Sequence, residues 1–260
     1  MRVAAVQFAP AFKDKQGNLR RLASLVTEAA RNDAQLIVLP ELATTGYSFM
    51  SVEEAVPFAE VVTEFKPNPM GGRADLSMDV MFALASRFRV HIAWGLVEKD
   101  YGTGKLYNTQ VLLTPDGTFE TVRKVNLWGN DFLWAEGGRA NPPVLRCQFD
   151  QDGIPTVKRV GLLICRDVRD KKNDTWSSFY EKGDADVVAF SANWGDGGFP
   201  ATSWVEFARE NSTTLVVSNR YGKEVPNDFG EGGVCVISPQ GKVRCEGLTW
   251  NSDCIVYADI

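Results

Sequence analysis

The strongest constraint on the fold is a recurring pattern of short apolar runs, separated by segments of helical periodicity. The stretches "RVAAVQF" (2–8), "AQLIVLP" (34–40), "VHIAWGLVE" (90–98), "ADVVAFSAN" (185–193) and "TLVVSNR" (214–220) have the length and β-branched content of buried strands. Pro40 stops the second of them, because proline cannot donate to a ladder. Between the strands, Leu22, Leu25, Val26, Ala29 and Ala30 recur at helical spacing. So do Leu76, Val80, Met81, Leu84, Ala85 and Phe88, which predict a helix over 74–89. Further helices are expected around Trp176–Tyr180 and over 203–211. Turn signals at 115–117 ("PDG"), 151–153 ("QDG") and around Pro239 and Gly241 mark three hairpins. Strands alternating with helices, punctuated by hairpins, predict an α/β fold with mixed sheets. No Ser/Gly/Pro-rich linker divides the chain, so residues 1–260 read as one domain.

Charge and cysteine usage narrow the function. Lys and Arg number 28 against 33 Asp and Glu, and no basic block appears, which argues against nucleic acid as a partner. No run of 18 apolar residues is present, so no membrane span is expected. The five cysteines (147, 165, 235, 245, 254) are odd in number and show no C-x-x-C spacing, which predicts reduced thiols and a cytoplasmic location. His91 is the only histidine, so a histidine-rich metal site is excluded; inside an apolar strand it reads as structural. The same scarcity argues against a cysteine peptidase, which needs a histidine beside its nucleophile. "GTG" (102–104) and "GDGG" (195–198) match neither a P-loop nor a dinucleotide fingerprint.

Three apolar runs end in residues that carry chemistry. Glu41 follows "LIVLP", Lys124 ends "TFETVRK", and Cys165 ends "VGLLI". Ligands in open α/β sheets bind beyond the carboxyl ends of strands, so a carboxylate, an ammonium and a thiol at such ends are placed to share one pocket. A thiol becomes a nucleophile through a base, and Glu41 is the base that remains. Lys124 and the backbone N–H of Arg166 would face a developing oxyanion. Cys147, Cys235, Cys245 and Cys254 read as structural.

"LIVLPELATTGY", "VRKVNLW" and "VGLLICRDVRD" resemble the three catalytic stretches of the nitrilase superfamily, the carbon–nitrogen hydrolases. "RVAAVQFAP", "YNTQVLLTPDGTF", "SANW", "VVSNRYG" and "GEGGVCVISPQGKV" resemble further family stretches in the right order, so the likeness runs from residue 2 to about 257. It implies a four-layer αββα sandwich, with two mixed β-sheets face to face and helices outside. It implies Glu41 as general base and later acid, Lys124 as oxyanion stabiliser and Cys165 as nucleophile, with no metal or cofactor. It also implies a homodimer or higher homo-oligomer, formed through helices near the cysteine; here that means 170–182, with Trp176, Phe179 and Tyr180.

The chain departs from the family pattern in places that bear on substrate. No glutamate after Lys124 falls in register with the family's second carboxylate, and Asp131 and Glu136 are the candidates. After Cys165, Asp167 and Arg169 match, but the usual "FPE" is absent. Tyr47, Trp128, Trp134 and Trp194 lie in stretches that form the pocket and are candidates to line it. The expected activity is hydrolysis of a small carboxylic amide through a thioester. N-carbamoyl amino acids and nitriles are the alternative substrates, and a catalytically silent binding scaffold is the alternative class.

Overall fold

The computed structural model describes residues 1–66, 76–139, 144–151, 153–169, 184–195, 198–249 and 251–260. Five strands open the first sheet: β1 (Arg2–Gln7), β2 (Leu36–Val38), β3 (His91–Lys99), β4 (Leu106–Leu113) and β5 (Phe119–Arg123). The second sheet comprises β6 (Leu145–Gln151), β7 (Ile154–Ile164), β8 (Val187–Ala192) and β9 (Thr214–Asn219). After a two-stranded hairpin, β10 (Lys223–Glu224) and β11 (Asn227–Asp228), it gains β12 (Val234–Ile237) and β13 (Val243–Gly247). β14 (Cys254–Asp259) returns to the first sheet. The spatial orders are β14-β1-β2-β3-β4-β5 and β13-β12-β9-β8-β7-β6. Each sheet has parallel pairs at its centre and antiparallel pairs toward its edges.

The period-2 alternation of the strands sorts side chains into two cores. On β1 and β2, Val3, Ala5, Leu36 and Val38 face the second sheet and share a core with Ala189 and Val216. The alternate residues Ala4, Val6 and Ile37 pack with Leu22, Val26 and Ala29 of α1 (Lys15–Arg31) and Met81 and Ala85 of α3 (Ser77–Phe88), which follows the short helix α2 (Val52–Ala55). α4 (Asp131–Trp134) lies in the loop after β5. On the far side of the second sheet, Trp204, Phe207 and Ala208 of α5 (Thr202–Glu210) join the core. The layers are therefore helix, sheet, sheet, helix, as expected. The helix expected around Trp176–Tyr180, with Phe179 and the proposed dimer surface, lies outside the described residues. No described helix is long and apolar enough to cross a membrane.

A polar stitch joins the two sheets beneath the strand ends. Gln110 on β4 donates to the Ala189 carbonyl (3.1 Å) and to Ser191 Oγ (2.8 Å), and accepts from Leu163 N–H (3.0 Å). Ser191 in turn donates to the Leu39 carbonyl (2.7 Å). A buried, fully bonded glutamine fixes the offset between sheets in a way that apolar packing alone leaves adjustable. That offset sets where residues 41, 165 and 193 meet.

Candidate active site

β2 leads through Leu39 and Pro40 to Glu41, and the turn is tight. Leu42 has a left-handed φ of 47°, and a Cβ on Gly95 of the adjacent β3 would lie 2.3 Å from the Leu42 nitrogen and 2.7 Å from Glu41 Cα. Only glycine at 95 lets the two backbones approach so closely. The Glu41 carboxylate is fully buried. Oε1 accepts from Lys124 Nζ (2.8 Å) and Asn108 Nδ2 (2.7 Å), and Oε2 accepts from the Asn193 backbone N–H (2.8 Å).

Lys124 is the residue after β5, where its N–H continues the ladder to the Asn108 carbonyl (2.8 Å). Its ammonium is 1 % exposed and bridges Glu41 and Asp131, the latter at 2.6 Å. Burial alone would favour the neutral amine, but Asp131 and Glu41 outweigh it and raise the Lys124 pKa well above the usual range. Asp131 also accepts from Asn108 Nδ2 (3.1 Å) and the Trp128 N–H (3.1 Å).

Of the two candidate second carboxylates, the structure brings Asp131 to the cluster and leaves Glu136 out. Glu136 is half-exposed and pairs with Lys105 at 3.2 Å on the surface. Asp131 opens α4, and this helical turn carries its shorter side chain in to Lys124. The same turn places Trp134, at i+3, on the inner face, while Phe132 and Leu133 point outward. Trp134 was expected on the pocket wall. It packs instead into a satellite core with Leu42 and Phe49, whose ring lies 5.8 Å away. Tyr47 is likewise behind the cluster rather than on the wall: its hydroxyl donates to the Trp128 carbonyl, and Lys124 Nζ lies 5.8 Å from its ring centre. Its phenol pKa is driven up, by burial first and by the Asp131 charge second.

Cys165 follows β7 in a left-handed conformation (φ 43°), strained for a residue with a side chain. This bend starts a short 3-10 helix, Cys165–Val168, whose first N–H groups, that of Arg166 among them, have no partner within the helix. The thiol lies 3.9 Å from the Asn193 carbonyl. Burial, then the charge of Glu41, pushes its pKa up, and Lys124 opposes the rise. These surroundings favour the thiol over the thiolate. Asp167 ties this turn to the lysine loop by accepting from the N–H of Asn126 (2.7 Å) and Val125 (3.4 Å).

A narrow cleft of about 40 Å³ opens above the sulfur, lined by Trp128, Arg166, Arg169, Asn193, Trp194, Asp228 and Phe229. Arg169 lies over the Trp194 ring at 3.9 Å. A groove of about 740 Å³ at the opposite end of β2 and β3, near Asp33, His91 and Cys147, is far larger. Burial lowers the His91 pKa to about 4, and its ring rests 4.4 Å from that of Phe149, as a packed structural residue does. Convergent chemistry, not volume, marks the cleft at Cys165 as the candidate site.

Sequence reasoning passed over Asn108, Gln110 and Asn193. A signal was present in "YNTQVLL", where two amides alternate on one face of a strand that is otherwise apolar.

Residues 2–260 match the carbon-nitrogen hydrolase family model. The chain belongs to that family. A nitrilase from Pyrococcus abyssi is 31% identical over 243 residues, which cover 94% of this chain and 83% of the relative. An (R)-stereoselective amidase from Pseudomonas sp. is 27% identical over 248 residues, covering 95% and 80%. The fold matches an amidase from Nesterenkonia sp. AN1, in a form with acrylamide added to its active-site cysteine, at a TM-score of 0.76 and 22% identity, over 100% of this chain and 93% of that one. The protein is therefore a carbon–nitrogen hydrolase with the family's α/β sandwich.

Proposed function

We propose that this hydrolase is an amidase whose nucleophile is Cys165, with Glu41 as base and acid and Lys124 as oxyanion stabiliser. The observation that carries the reading is Lys124 Nζ bound between Glu41 and Asp131, at 2.8 Å and 2.6 Å, in one buried cluster with Cys165. The cluster's net negative charge sets the order of events. A standing thiolate is unfavourable there, so the proton leaves Cys165 for Glu41 as the sulfur attacks the amide carbon. The oxyanion that forms is held by Lys124 and the Arg166 N–H. Glu41 then protonates the leaving nitrogen, and ammonia departs to leave a thioester. Water, deprotonated by Glu41, attacks that thioester; the carboxylic acid is released and the thiol is restored.

Asp131 acts through Lys124, which it holds at 2.6 Å alongside Glu41. The narrow cleft suits a small acyl group. The relatives include both an amidase and a nitrilase, so the test is ammonia release from a panel of small amides, N-carbamoyl amino acids and nitriles, with Cys165→Ala alongside. Release from amides that vanishes in the variant is expected. Release that persists in Cys165→Ala, or none across the panel, would overturn the reading.

A further inference from the structure

Asn193 stands out among the residues at the cleft. Its backbone is fixed by both ends of the proposed chemistry: the N–H donates to Glu41 Oε2 (2.8 Å), and the carbonyl faces Cys165 Sγ (3.9 Å). Asn193 lines the cleft and is 3 % exposed, yet among the described residues neither its Nδ2 nor its Oδ1 has a hydrogen-bond partner. Buried amides almost always find partners, because an unpaired donor or acceptor away from water is costly. The neighbouring Asn219 shows the contrast, bonding Trp194 at both its N–H (2.8 Å) and its carbonyl (3.1 Å).

We propose that the Asn193 side chain is a substrate-binding group that selects primary amides over nitriles. The inference rests on the hydrolase reading above and deepens it. A primary amide offers an N–H donor for Oδ1 and a carbonyl acceptor for Nδ2, so it can satisfy both orphaned atoms. A nitrile offers one acceptor and no donor, and leaves Oδ1 unpaired. A site built to pair both kinds of group rejects the ligand that lacks one of them. Because its backbone is held by Glu41 and packs against Cys165, Asn193 would orient the amide group over the sulfur.

The test is binding, measured where no turnover can occur. In a Cys165→Ala background, the dissociation constants of butyramide and butyronitrile are compared with and without Asn193→Ala, with thermal unfolding run as a check on folding. The expected result is an amide constant raised about tenfold or more, with the nitrile constant changed less than about threefold. Asn193→Asp keeps the acceptor and loses the donor, and is expected to fall between the two. Equal shifts for both ligands, no shift, or no saturable amide binding to the Cys165→Ala parent would overturn the proposal. Amide binding that depends on Asn193 in a wild-type protein that releases no ammonia would keep this inference and remove the hydrolase mechanism instead.

Discussion

At the floor of the cleft, Glu41, Lys124 and Asp131 are sealed from solvent and hold one another at 2.6–2.8 Å, each at or just beyond the end of a strand or the start of a helix. At the rim, Arg166 and Arg169 are exposed, and Asp228 belongs to a two-stranded hairpin. The floor is held by two six-stranded sheets and the Gln110 stitch between them; the rim is held by loops. Loops at the floor are themselves braced. Glu224 accepts from the N–H of Tyr47 and Ser48, both at 2.7 Å, and from Arg220 (2.8 Å), which locks the chain just past Glu41. The difference teaches that charge at the floor is part of the fold, whereas charge at the rim sits on exposed loops and turns.

The sharpest way to break that comparison is to remove one cation from each region. Lys124→Met leaves Glu41 and Asp131 facing each other without their counter-charge, and breaking a buried ion pair costs about 3–5 kcal/mol. Arg166→Met removes an exposed charge and is expected to change stability by less than about 0.5 kcal/mol. Chemical denaturation of both variants checks this; similar losses for the two would erase the distinction between floor and rim.

The two acids after Lys124 sharpen it next. Asp131→Asn leaves the ammonium held by Glu41 alone, which draws the proposed base away from its proton transfers. We expect kcat/KM on the best amide to fall about 100-fold, in the range seen for loss of one preorganised electrostatic group. Glu136→Gln, which removes a surface pair with Lys105, should stay within about twofold. Equal effects would mean that the buried geometry does not identify the functional acid.

Glycines offer the same contrast in the backbone. Gly95→Ala puts a methyl against the Leu42 and Glu41 backbone, which cannot swing aside as a side chain can. A loss of about 2–3 kcal/mol is expected, typical of overpacking at a rigid contact. Gly102→Ala, whose nearest neighbour would be Asp100 Oδ1 at 3.7 Å, should be neutral within about 0.5 kcal/mol. Thermal unfolding of the pair decides it.

The same division governs what could be read before any coordinates. Glu41, Lys124 and Cys165 were legible because each interrupts an apolar run at its end, and the strand order of the family sandwich brings such ends together. The helices at 15–31 and 77–88 were legible from their periodicity. The choice between Asp131 and Glu136 stayed open because it depends on a single helical turn inside an aperiodic loop. Trp134 was misplaced for the same reason: its direction follows from that turn and not from its type. Asn108 and Gln110 left a signal in their alternation, but what they bond, like what Asn193 just past β8 bonds, follows only from the register across two sheets.

Asp167 joins the two regions, and it supplies the subtlest test. It sits two residues beyond Cys165 and bonds the backbone just beyond Lys124. Burial lifts its pKa to about 7 from an ordinary 3.8, although the Asn126 N–H pulls it down. A raised acid binds more protons folded than unfolded, so its contribution to stability is present at low pH and lost as pH rises between those two values. Wild-type unfolding temperature should therefore decline toward neutral pH, and Asp167→Asn, which cannot titrate, should flatten the decline by about 3 °C for each kcal/mol involved. The activity profile should move the opposite way, because an ionised Asp167 accepts more strongly from the N–H groups beyond Lys124 and holds the ammonium more firmly. If the decline survives unchanged in Asp167→Asn, the titrating group lies elsewhere, and the tie between the cysteine turn and the lysine loop is packing rather than charge.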